Sequence, residues 1–196
     1  MRRTMPVVRF ITHPDVAIDP ARPVPEWHLS LRGILRARMM LERPWVTGLK
    51  SLFSSGERKA LDTAAILSAA TGLDVTVLEA LHENDRSATG YLPGPAFEAM
   101  ADAFFAQPEE SVRGWERAAD AQARIVAAVE QVLALAPPGD VAIIAHGAVG
   151  ALLLCRLKGV PISRAEDQPG RGGGNLFAFD RDSRALLHGW RPIDEE

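Results

Sequence analysis

Val141-Ala142-Ile143-Ile144-Ala145-His146-Gly147 runs five apolar residues straight into an imidazole and a glycine. Apolar on both faces, the run reads as a strand of a parallel sheet with helices covering each side. Pro137-Pro138-Gly139 closes a helical pattern before it, and Ala148 to Leu157 has the spacing of a helix after it. A strand therefore delivers His146 to a helix N-terminus. Working outward, Val7-Val8-Arg9-Phe10-Ile11-Thr12-His13-Pro14-Asp15 repeats the device at the start of the chain. Pro14 cannot donate to a ladder and keeps His13 extended, so this strand stops at the histidine.

Between the two, strands and helices alternate. A loop with Pro14, Pro20, Pro23 and Pro25 leads to a helix over about Ser30–Arg43. Leu31, Ile34, Leu35, Met39 and Leu41 form its expected apolar stripe, with Arg32, Arg36, Arg38 and Arg43 on a solvated side. Leu49–Ser54 reads as a strand, with Ser55 as N-cap of a helix that carries Arg58 in its first turn and ends at Gly72. An arginine at that end opposes the helix dipole and makes sense beside an anion. Asp74–Leu78 is a short strand before the polar cluster Leu81-His82-Glu83-Asn84-Asp85-Arg86. Helices are expected over Phe97–Phe105 and about Glu110–Leu135. Gly170-Arg171-Gly172-Gly173-Gly174 lacks the Gly-Lys-Ser/Thr ending of a phosphate loop and reads as a flexible connection. Asn175–Phe179 and Ala185–Trp190 form a closing hairpin.

This alternation predicts an α/β fold, a three-layer α/β/α sandwich with a mostly parallel central sheet, in one domain spanning residues 1–196. In such sheets ligands bind beyond the carboxyl ends of the strands. His13, Arg58, Glu83 and His146 all fall just past predicted strand ends.

With 196 residues, 47% of them hydrophobic, the chain is long enough for a full core. A net charge of −3 gives no basic footprint, so no nucleic acid partner is expected. Cys155, the single cysteine, excludes an intrachain disulfide and sits on an apolar helix side, a core position rather than a nucleophile. The longest apolar run falls short of the ~20 residues of a membrane helix. The start, with Arg2 and Arg3, is too interrupted for a signal peptide. A soluble, cytoplasmic protein with no membrane partner is expected; the oligomeric state is not readable.

Two imidazoles, a guanidinium and a carboxyl group at one sheet edge suit phosphoryl transfer without a metal. Neutral His13 can attack phosphorus and form a phosphohistidine. Arg58 can take the equatorial oxygens in paired contacts, and His146, if charged, can stabilise developing negative charge. Glu83 can protonate the leaving oxygen and then deprotonate water, which requires a raised pKa. Metal ligation is the competing use: His13 with Asp15, His82 with Glu83, and His146 or His188. The spacing matches neither His-Glu-x-x-His nor a zinc Cys/His pair.

These positions resemble the histidine phosphatase superfamily, also called phosphoglycerate-mutase-like. Its pattern is Arg-His-Gly, then Ser-x-x-x-Arg-Ala-x-x-Thr, a Glu after the third strand, and a second His-Gly. The corresponding segments are Thr12-His13-Pro14, Ser54 to Ala64 with Arg58, Leu81-His82-Glu83, and Ala145-His146-Gly147. Leu29-Ser30-Leu31-Arg32-Gly33, Glu110-Ser111 and Asn175 add weaker likenesses. The resemblance implies His13 as nucleophile, Glu83 as proton donor, and Arg58 and His146 as phosphate binders, with Gly147 at the binding site. It implies no metal and no organic cofactor. The chain is short for a glycolytic mutase, so a phosphomonoesterase acting on a small phosphorylated substrate or a phosphoprotein is the expectation.

The departures lie at the centre. Thr12 stands in place of the family's arginine, Pro14 in place of its glycine, and Asp19 where many members have asparagine. A lost charge-assisted contact to phosphate costs on the order of 1.5–3 kcal/mol of binding. Arg9 lies about 13 Å upstream on the strand, which leaves Arg22 or Arg86 as replacements. The alternative expectation is a weak or inactive relative that binds a phosphorylated ligand or protein.

Overall fold

The computed structural model describes residues 5–170 and 172–195, so Arg2, Arg3 and Arg171 lie outside the described residues. Six strands form one sheet: β1 (Val7–Thr12), β2 (Leu49–Ser54), β3 (Val75–Val77), β4 (Asp140–Ala145), β5 (Asn175–Asp180) and β6 (Leu186–Pro192). Their order is β3-β2-β4-β1-β5-β6. The first four of these run parallel, while β5 runs antiparallel to β1 and β6 antiparallel to β5. The expected sandwich with a mostly parallel sheet is the observed fold.

Both faces are covered. Against one lie α4 (Ala118–Leu135) and α5 (Gly147–Lys158), with Ile125, Val129, Val149 and Leu153 meeting Phe10, Ile143 and Phe177. Against the other lie α1 (Leu31–Met40) and α2 (Arg58–Thr71), through Met40, Ala60, Ala64 and Leu67. Gly150 lets α5 approach closely, since a Cβ there would come within 2.9 Å of the Phe10 ring. Cys155 is fully buried.

Three expectations need correction. Leu31, Leu35 and Met39 do not face the core: they are exposed, and Gly33, Ala37 and Met40 form the buried side of α1. The rotation follows from Arg36, which turns inward onto Asp15 and Asp194. The helix over Glu110–Leu135 is shorter, Ala118–Leu135. Before it the chain turns through Arg113 and Gly114, both at positive φ, which seats Trp115 against Phe104 in a third apolar cluster with α3 (Gly94–Ala106). Nor does Ser55 cap α2, which starts after Glu57 without a side-chain cap. Among the described residues no helix is long and apolar enough to cross a membrane.

Candidate active site

The ends of β1, β2 and β4 and the loop after β3 converge where the topology predicts. His13 lies one residue past β1, its backbone N–H still donating to Ala145 across the sheet. Its ring centroid is 5.2 Å from that of His146. His13 Nδ1 lies 3.0 Å from the Pro14 carbonyl, which assigns the hydrogen to Nδ1 and leaves Nε2 with a free lone pair. Burial pushes the His13 pKa down to about 4, helped by the charge of Lys59 and opposed by the Pro14 hydrogen bond. The imidazole is therefore neutral, as a nucleophile must be.

The sign of that shift has a consequence for stability. Between an unfolded value near 6.5 and a folded value of about 4, the unfolded chain binds the extra proton. His13 thus costs no stability above about pH 6.5, and its penalty grows as pH falls through that window. The thermal midpoint is expected to drop between pH 6.5 and 4, and to drop less in His13→Gln; equal drops would refute the assignment.

His146 is fully buried, and desolvation holds its pKa well below the usual histidine range, against the pull of Glu57. Its Nε2 lies 2.8 Å from Ser55 Oγ and 3.4 Å from Glu57 Oε1, while Nδ1 has no partner among the described residues. Ser55 faces His146 and accepts a bond from the Glu57 N–H, which is why it leaves the helix end uncapped. Glu83 is 9% exposed, and its carboxylate accepts from the N–H groups of Asn84, Ala148 and Val149. The first turn of α5 thus holds the acid in place. Gly147 opens that turn, and a Cβ on it would come within 2.3 Å of Gln168 Nε2.

Arg58 is exposed at the rim of the cavity and makes no side-chain hydrogen bond among the described residues. The inner cation is its neighbour. Lys59 is 3% exposed, and its Nζ donates to Val24 O at 2.9 Å and Glu57 Oε2 at 2.5 Å. Burial works against ionisation of Glu57, but the His146 ring, the Lys59 ammonium and the Glu83 N–H together hold its pKa well below the usual carboxylate range. Neither residue stood out from the sequence, because charges in a first helical turn read as solvated. One signal was there: Ser55-Gly56-Glu57-Arg58-Lys59-Ala60-Leu61-Asp62-Thr63 matches Ser-x-x-x-cation-Ala-x-x-Thr one residue later, with the alanine in place.

Thr12 contributes no charge and faces the wall of the site. Its Oγ1 accepts from Asn175 N–H and donates to Gln168 Oε1 at 2.7 Å. Asn175 Nδ2 donates to the same Gln168 oxygen. Of the candidate replacements, Arg22 is exposed and pairs with Asp19. Arg86 lies over the rings of Phe97 and Trp115, lines the cavity, and depresses both histidines by its charge. Arg9 bonds Asp140 and stacks on Trp45, away from the site.

The glycine-rich stretch does not behave as a slack connection within its described residues. Gly174 N–H donates to the His13 carbonyl, and Arg36 donates to the carbonyls of Gly173 and Gly174. Gly173 and Gly174 both have φ 69°, and a Cβ on Gly173 would come within 2.2 Å of the His13 oxygen. His188 lies on β6, with Nδ1 against the Gly189 carbonyl. Among the described residues no three His, Cys, Asp or Glu side chains group as a metal site.

His13, Lys59, Glu83, Arg86 and Gly147 line one open cavity of about 1800 Å³, with apolar walls that include Trp27, Tyr91 and Phe97. The same fold occurs in solved structures. A mycobacterial glucosyl-3-phosphoglycerate phosphatase in complex with inorganic phosphate matches with a TM-score of 0.75 at 22% identity, over 97% of this chain and 100% of its own. YhfR of Bacillus stearothermophilus matches at 0.78 and 21%, over 93% and 94%. A putative alpha-ribazole-5'-P phosphatase of Escherichia coli matches at 0.70 and 16%, over 98% and 97%. At such identities the likeness concerns the fold alone. No curated protein matches the chain. The profile of the histidine phosphatase superfamily (branch 1) matches residues 22–187, most of the length, and the chain belongs to that superfamily.

Proposed function

We propose that the protein is a metal-independent phosphomonoesterase that works through a phosphohistidine on His13, in the cytoplasm, on a small phosphorylated substrate or a phosphoprotein. The observation that carries this reading is the neutral His13 imidazole with Nδ1–H tied to Pro14 and Nε2 left free. Attack by Nε2 forms the N–P bond as the bond from phosphorus to the leaving oxygen breaks. The electron pair goes to that oxygen, and Glu83 is the group placed to pass it a proton. The positive charge that develops on the ring is stabilised by the Pro14 carbonyl at Nδ1–H. Water then attacks phosphorus, Glu83 takes back a proton, and the N–P bond breaks to release phosphate. That two of the structural relatives are described as phosphatases of small phosphorylated molecules supports a small phosphorylated metabolite as the first substrate to try.

In this scheme Lys59 and His146 take phosphoryl oxygens inside the site, Gly147 keeps the α5 turn open to the substrate, and Arg58 acts from the rim. Lys59→Met is expected to raise KM for 4-nitrophenyl phosphate by about tenfold or more, the scale of one charge-assisted contact, with Lys59→Arg restoring most of it. Arg58→Ala is expected to change KM only a few-fold, since its charge is exposed and screened. The reverse ranking would exchange their roles. The test of the whole reading is rapid quench with 4-nitrophenyl phosphate: a phosphate adduct at His13, and turnover unaffected by EDTA.

A second reading has one observation in its favour. Glu57 neutralises Lys59 within the site, as expected of a weak relative that binds a phosphorylated ligand without turning it over. Binding of such ligands with no adduct at His13 would establish it.

A further inference from the structure

The carboxylate of Glu57 sits among the groups that a phosphoryl group would use. One oxygen is 2.5 Å from Lys59 Nζ; the other accepts from the Glu83 N–H at 2.9 Å and lies 3.4 Å from His146 Nε2. Glu57 is itself only 11% exposed at its side chain, and it lines the cavity. Its position satisfies Lys59 internally and puts a fixed negative charge beside the incoming anion.

The charges facing the reacting position can be taken element by element. From the start of α2 come Glu57 and Lys59, an ion pair in which the ammonium keeps one of its three N–H donors for a ligand. From β1 comes His13 and from the end of β4 comes His146, both neutral by burial. From the loop after β3 come Glu83 and Arg86, with Asp85 beside them; Asp167 adds a carboxylate to the cavity wall, and Arg22 and Arg164 line it while paired with Asp19 and with Glu98 and Asp102. Arg86 makes no ion pair among the described residues, while Arg58 stands outside in water. A second charge on the phosphoryl group would meet Glu57 in a site where water screens poorly.

Resting on the phosphatase reading above, we propose that Glu57 makes this site favour phosphoryl groups carrying a single negative charge, a phosphodiester or a protonated monoester, over the doubly charged monoester. The cavity has room for a second ester substituent, and its Trp27, Tyr91 and Phe97 walls suit an apolar one. Chemistry at His13 is unchanged: the N–P bond forms as one ester oxygen leaves with the proton from Glu83. With a diester the intermediate retains its other ester group, and water releases a monoester.

The test compares bis(4-nitrophenyl) phosphate, singly charged, with 4-nitrophenyl phosphate, doubly charged at pH 8 because its second pKa is near 6. The ratio of kcat/KM, diester over monoester, is expected to fall by about tenfold or more in Glu57→Gln, the factor that corresponds to about one pKa unit of charge interaction. Glu57→Ala should move it the same way, with circular dichroism checking both folds. An unchanged ratio in both variants would overturn the proposal. The companion measurement needs no turnover: Kd at pH 8 for diphenyl phosphate and phenyl phosphate in His13→Ala, with and without Glu57→Gln. A selective gain for phenyl phosphate in the double variant supports charge selection, even if the wild type proves inactive and the phosphatase reading falls. A parallel change for both ligands, or binding of neither, overturns charge selection, and a trapped phosphohistidine would then still uphold the phosphatase.

Discussion

His13→Ala is expected to lower turnover of 4-nitrophenyl phosphate by at least about 10⁴-fold, the scale on which enzymes lose rate when the covalent nucleophile is removed. The loss should fall on kcat, because Lys59, Arg86 and the α5 turn remain to hold the substrate. It should come without unfolding, since the His13 side chain makes a single hydrogen bond, to the adjacent Pro14 carbonyl. The phosphate adduct seen after rapid quench should disappear in the variant. Steady-state assay and intact-mass measurement on the same preparation decide the matter. A variant that keeps a tenth of the activity would mean that water attacks phosphorus directly and that His13 only binds.

The second large effect is on stability. Arg36 donates to Asp194 through two bonds of 2.9 Å, to Asp15 at 2.9 Å, and to the carbonyls of Gly173 and Gly174. Its pKa is raised, first by the Asp194 hydrogen bonds, against a smaller opposing effect of burial. Arg36→Met leaves the shielded Asp15 and Asp194 carboxylates without the guanidinium that bridges them and removes one donor from each of two carbonyls, which keep Asn175 Nδ2 and the Ile193 N–H. A loss of about 3 kcal/mol is expected, the lower end for breaking a buried charge network from one side. In a chain of this size that is a fall in Tm of about 6–12 °C. Arg36→Lys should recover little, because an ammonium cannot span five acceptors as a planar fork does. A Tm within 2 °C of wild type would show the network to be worth no more than surface pairs, for which about 0–1 kcal/mol is usual. The variant should also lose activity, since Gly174 is hydrogen bonded to His13 itself.

The sequence made the sheet and its working edge legible because those features are local. An apolar run that stops at a histidine announces a strand end, and this happened at both His13 and His146. Glu83 followed from a polar cluster after a short strand. The buried side of α1 was not legible: Leu31, Leu35 and Met39 have helical spacing, but burial was decided by Arg36 reaching acids more than a hundred residues away in the case of Asp194. Lys59 and Glu57 were missed for the same reason. In a first helical turn, a lysine flanked by charges gives no local sign that Val24 O will cover it or that His146 will face its partner. Asp19, which stands where many members of the family have asparagine, pairs with Arg22, and the carboxylate beside Lys59 is that of Glu57. Such long-range polar pairings leave no periodicity to read.

β1 is hydrogen bonded on both sides, to β4 and to β5. Amides of Phe10 and Ile11 should therefore exchange with deuterium only when the whole molecule opens. The reacting nitrogen hangs from a strand held on both sides, and the ammonium that would receive its substrate hangs from a helix end held by side-chain bonds. Adaptation to a new substrate can then proceed at Lys59 and Glu57 while the attacking group keeps its register.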